Sequence, residues 1–151
     1  MLQAPSKLRV AESLLDRSDG ELVALLRRCA KAGDYSSAVA LLREMKPSSI
    51  DAEIREMQPL DDAAPTAAEI ERLALLLSFL ELELRQRRNF DLLNAVLAVL
   101  LDAHATTLQN HAGLRRQCGR VRRTLEQSWA RVRGLLDQVA CTVAFVGNMV
   151  A

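Results

Sequence analysis

The stretch LRRQCGRVRRTLEQSWARVRGLLDQVACTVAFVGNMV (residues 114–150) carries one apolar stripe that never loses register. Leu114, Cys118, Val121, Leu125, Ser128, Val132, Leu135, Val139, Thr142, Val146 and Met149 follow one another in steps of four and three. A second row at sevens, Trp129, Leu136, Val143 and Val150, runs beside it. That spacing places every one of these side chains on one side of a single long helix. Beyond Asp137 there is no charged residue, so the helix end becomes apolar nearly all round. Water is a poor neighbour for such a surface, and the pattern predicts that something covers it.

The rest of the chain agrees with a helical fold. Half of its 151 residues are hydrophobic but only 3% are aromatic, with Leu, Ala and Val dominating and Gly and Pro scarce. Leu and Ala are strong helix formers, and alternating β-branched runs are few. The predicted class is all-α: an antiparallel bundle of three long helices with shorter N-terminal helices. Residues 1–33 read as short, peripheral helices and residues 34–151 as the principal domain. Ser6–Arg17 reads as a short amphipathic helix and Asp19–Lys31 as a second, with Gly33 as its stop. Asp34 is placed to cap a third helix. In PSSIDAEIREM (47–57), Ser48 and Asp51 resemble a capping box. PLDDAAP (59–65) reads as the main connection. Thr66 and Glu69 form a second capping-box pattern, opening a helix with Ile70, Leu73, Leu77, Leu80 and Leu84 on one face. Phe90–Leu108 is apolar almost all round and is expected to be the central, most buried helix.

No catalytic constellation stands out. There is no Gly-rich phosphate loop, no nucleophile turn and no Cys/His pair with an orienting group. The acids Asp51, Glu53 and Glu56 sit in a short helix, where capping explains them better than acid–base chemistry. His104 and His111 lack ligands at helical spacing, so a structural role is preferred over a metal site. Cys29, Cys118 and Cys141 have neither metal nor redox spacing and read as free core thiols of a reducing compartment. The expectation is a soluble, intracellular, non-enzymatic protein without metal, cofactor or small-molecule substrate. MLQAPSKLRV lacks a secretory apolar core, and the uncharged tail from Gln138 is too short for a membrane span.

Charge is uneven despite a net of +1. Nine acids lie between Asp51 and Glu83 against Arg55 and Arg72, while ten arginines lie between Arg85 and Arg133 against Asp91, Asp102 and Glu126. Pairing of acidic and basic helices within the fold is the simpler reading. The alternative is a nucleic-acid backbone contact through Arg115, Arg116, Arg120, Arg122 and Arg123, without interleaved aromatics for base stacking.

Three segments in order, PSSIDAEIREM (47–57), RNFDLLNAVLAVLLDAH (88–104) and WARVRGLLDQVACTVAF (129–145), resemble the carboxy-terminal helical domain of the family of the WD-repeat U-three small nucleolar RNA-associated protein twenty-one. The resemblance rests on Pro47, Ser48, Ile50, Asp51, Glu53, Ile54 and Arg55, on Asn89, Phe90, Asp91, Leu92 and His104, and on Trp129, Leu135 and Cys141. It implies a UTP-B component of the small-subunit processome, in the nucleolus of the nucleus, acting in pre-ribosomal RNA processing. It also implies partners: the helical C-terminal domains of sister WD-repeat subunits within a large ribonucleoprotein assembly. The residues expected to meet such a partner are Leu125, Trp129, Val132, Leu135, Leu136, Val139, Val143 and Val146.

Overall fold

In a computed structural model, residues 20–57 and 64–150 are described. Every regular element among them is a helix: α1 Glu21–Ala32, α2 Ser36–Glu44, α3 Pro47–Glu56, α4 Ala67–Gln86, α5 Phe90–Asn110 and α6 Ala112–Val150. The all-α class is therefore as the sequence predicts. The segment 6–17 and most of the 59–65 connection lie outside the described residues.

Local chemistry sets the helix boundaries. Gly33 ends α1 in a left-handed conformation (φ 74°), its N–H donating to the Cys29 carbonyl, where glycine carries no Cβ penalty. The N-cap of α2 is Tyr35, without a side-chain cap, and Asp34 stands one residue before it, its carboxylate accepting from the Ser36 N–H at 3.0 Å and the Ser36 hydroxyl at 2.8 Å. Thr66 and Glu69 make a reciprocal capping box on α4. The box expected at Ser48 and Asp51 does not form. Helix α3 begins two residues earlier than that box would set it, with Pro47 as its first residue and no side-chain cap on Lys46. Proline's fixed φ is already helical, and its missing N–H is one the first turn would leave unpaired.

One core holds all six helices together, drawing on Leu22 and Leu26, Leu42, Ile54, Leu73 to Leu84, Leu93 to Leu100, Leu114 and Val121. Residues 21–32 thus share a core with residues beyond 33. The central helix is α4 rather than α5. Leu73, Leu76, Leu77, Phe79, Leu80 and Leu84 of α4 are all fully buried. Helix α5 buries Leu93, Val96, Leu97 and Leu100 but exposes Ala95, Ala98 and Ala105. Alanine makes a helix look apolar all round, yet it exposes little hydrocarbon and favours the helix at the surface. Helix α5 is long and apolar enough to cross a membrane by composition; here Leu93, Val96, Leu97, Leu100 and Leu108 supply one wall of the core, while Leu101 is exposed.

Helix α6 spans 39 residues, about 58 Å at the ordinary helical rise. Its first half lies against α4. The Gln117 side-chain amide donates to the Ala74 carbonyl at 2.9 Å and to the Ser78 hydroxyl at 2.6 Å, and Arg120 meets Glu81 at 3.0 Å. The contacts advance together along both helices, so α4 and α6 run in the same direction. Its second half leaves the body, which the expected three-helix bundle did not foresee.

Candidate assembly interface

The stripe on α6 divides at Ser128. Up to that point it is internal: Leu114, Val121 and Ser128 are buried, and Cys118 and Leu125 pack partly against the core. The hydroxyls of Thr124 and Ser128 bond back to carbonyls one turn earlier, at 3.1 and 2.9 Å. From Trp129 onward every residue with a described side chain is exposed.

The exposed half keeps the apolar pattern. Val132 is 39% exposed, Leu135 51%, Leu136 63%, Val139 59%, Val143 66%, Phe145 66%, Val146 53% and Met149 71%. Val132, Leu135, Leu136, Val139, Val143, Val146 and Met149 form an apolar ridge in water, with Phe145 on the helix's other side; exposed apolar patches of this kind mark interaction sites. Of the eight residues predicted to meet a partner, Trp129, Val132, Leu135, Leu136, Val139, Val143 and Val146 stand on this ridge. Leu125 does not, because it packs at the edge of the chain's own core. Phe145 was missed because it lies off the four-three stripe; its size within an uncharged segment was the available signal. Cys141 also belongs to this ridge segment and is exposed, correcting its reading as a core thiol. Cys29 is buried against Ser37, and burial pushes the half-buried Cys118 thiol above its ordinary pKa.

The root of the ridge is anchored by an aromatic contact. Trp129 and Phe90 meet edge to face, their ring centroids 5.1 Å apart at an interplanar angle of 80°. Phe90 opens α5 immediately after Asn89, which holds a left-handed conformation (φ 56°) and accepts a hydrogen bond from Arg43 of α2. The turn 87–89 thereby fixes the position of the Trp129 ring.

The 47–57 segment packs along α5, from Pro47 and Ile50 beside Phe90 to Ile54 at His104. Ile50 and Ile54 point into the core. Arg55 bridges Asp51 at 3.0 Å and Asp102 of α5 at 2.9 Å, and both carboxylates raise its pKa. Glu53 accepts the Leu22 N–H at 2.9 Å, capping α1 from 31 positions away. His104, buried where α5 departs from helical geometry, donates from Nε2 to the Ile54 carbonyl at 2.6 Å. That bond gives it the structural role expected of it. Pro47 and Ser48 are exposed.

The arginines lie on the other side of α6 from the stripe. Arg115, Arg116, Arg120, Arg122 and Arg123 are all exposed. Arg120 pairs with Glu81, which also holds Arg85 at 2.6 Å, and Arg122 pairs with Glu126 at 2.9 Å. Charge pairing between α4 and α6 therefore exists, but it occupies only part of the basic face. Among the described residues no cluster of three or more His, Cys, Asp or Glu is arranged to hold a metal ion.

Comparison with known proteins gives a family. Residues 3–147 match the family described as the Utp21-specific, WD40-associated domain. Human WD repeat-containing protein 36 is 27% identical over 112 residues, which cover 74% of this chain and 12% of that protein. The chain thus spans about an eighth of the length of this curated relative.

Proposed function

From the premise that this chain belongs to the Utp21 family, we propose that it is a non-enzymatic helical assembly domain acting in ribosome biogenesis. In this reading α6 is a docking ridge. Its partners are the helical C-terminal domains of sister WD-repeat subunits of the UTP-B assembly. The setting is the nucleolar small-subunit processome, on which pre-ribosomal RNA is processed.

The observation that carries the proposal is the uncovered hydrocarbon from Val132 to Met149. A lone helix of this composition gains little from its own chain once it leaves the body. Covering it with another helix removes apolar surface from water at about 25 cal/mol per Å² before the costs of association. An obligate interface of this kind buries on the order of 2,000 Å² or more in total. A segment of α6 with no acid or base beyond Asp137 also avoids burying an unpaired charge in that interface.

Co-purification with the sister helical domains tests the proposal. Val139→Asp or Val143→Asp should abolish the complex, because each buries an unpaired carboxylate. Both positions are exposed in the free chain, so circular dichroism should report an unchanged body. Retention of the complex by both folded variants would refute the ridge as the docking surface.

A further inference from the structure

We propose that the outward face of α6 between Arg115 and Arg133 binds the phosphate backbone of RNA. Helix α6 carries seven arginines, Arg115, Arg116, Arg120, Arg122, Arg123, Arg131 and Arg133, against Glu126 and Asp137. Two of the seven, Arg120 and Arg122, are held in ion pairs with Glu81 and Glu126. The other five are exposed and meet no acidic side chain among the described residues. Helical periodicity sets Arg116 and Arg123 opposite Leu114, Val121 and Ser128, which face the core, with Arg115, Arg131 and Arg133 on the flanks. A protein partner seated on the apolar ridge would leave this face open.

Residue type and arrangement favour a phosphate backbone. Arginine is always charged and presents a planar fork that matches phosphate oxygens. Arg115 and Arg133 lie on one flank of the helix, Arg116 and Arg123 along its back, and Arg131 on the far flank. A straight acidic helix could meet one of these lines, whereas a flexible polyanion can meet all three. An anionic membrane fits less well. An interfacial helix carries cations on the polar face behind its apolar one, but the segment from Leu135 to Met149 has none on any side. The one aromatic residue between Arg115 and Arg133 is Trp129, which packs edge to face on Phe90, so no aromatic is interleaved among the arginines for base stacking and recognition is independent of sequence. The choice of RNA over DNA rests on the ribonucleoprotein setting proposed above; the charge argument does not.

The test is fluorescence anisotropy of a labelled unstructured single-stranded RNA titrated with the whole chain. With about five phosphate contacts, affinity should fall about a hundredfold between about 50 and about 200 mM KCl. Arg115→Ala, Arg116→Ala and Arg123→Ala combined should bind more weakly and lose less than about tenfold over the same range. The corresponding lysine triple variant should keep most of the salt dependence. The neutral Val139→Asn should bind RNA as the parent does, so failure of the ridge and failure of the basic face are told apart. The proposal is overturned if the parent does not bind at low salt, or if the alanine triple variant binds as the parent does. Preference for duplex DNA or for phosphatidylserine vesicles over the single-stranded RNA would also overturn it.

Discussion

Trp129 rests edge-on against Phe90 at the point where α6 leaves the body, with half of the indole open to solvent. The contact joins the N-terminus of α5 to the base of the ridge. Phe90→Ala should destabilise the protein by the geometry-specific part of an aromatic pair, about 0.5–1.5 kcal/mol, plus lost burial. Trp129 is the one tryptophan of the chain, so its emission should shift to the red in the variant. Urea unfolding and steady-state fluorescence measure both effects.

Glu53 holds the N-terminus of α1 through the Leu22 N–H, and a carboxylate there also complements the helix dipole. Glu53→Ala should cost about 1–2 kcal/mol, the range of a lost helix cap. Glu53→Gln should cost less, since an amide oxygen can still accept. Chemical denaturation of the two variants checks the order.

Glu83 is buried, and desolvation followed by the nearby Asp34 carboxylate raises its pKa, with Arg88 opposing. The folded state therefore holds this proton more tightly than the unfolded chain does. Its contribution to stability is present at low pH and is lost as pH rises through the folded value. Glu83→Gln should stabilise the protein at neutral pH, and that gain should shrink as the pH approaches the ordinary carboxylate range. Denaturation of parent and variant at several pH values gives the difference directly.

Two glycines separate backbone need from mere space. A methyl group at Gly134 would meet nothing within 4 Å, so Gly134→Ala should stabilise α6 by about 0.5–1 kcal/mol. Gly33 also has open space, but its φ of 74° is unfavourable for alanine. Gly33→Ala should lower stability by about 1 kcal/mol. Thermal melts followed by circular dichroism should move in opposite directions.

What could be read from the sequence was set by local chemistry and periodicity. Gly33, Asp34 and the Thr66–Glu69 pair act within a few residues of themselves, and the α6 stripe repeats on one face wherever the helix goes. The misreadings needed tertiary information. Glu53 reaches Leu22 only once α1 and α3 are docked, and nothing in either segment announces it. Phe90–Leu108 looked central because its exposed alanines counted as apolar. The same stripe is core before Ser128 and surface after it, since periodicity defines a face but not what lies against it. Of the predicted ridge, only Leu125 turned out to be claimed by the chain's own core.

Amide hydrogen exchange across residues 132–149, with and without a sister helical domain, asks whether another polypeptide covers the ridge. Fast exchange in the free chain and strong protection in the complex are predicted, with residues 73–84 protected in both. Equal exchange in the two states within a formed complex would contradict the ridge as the docking surface.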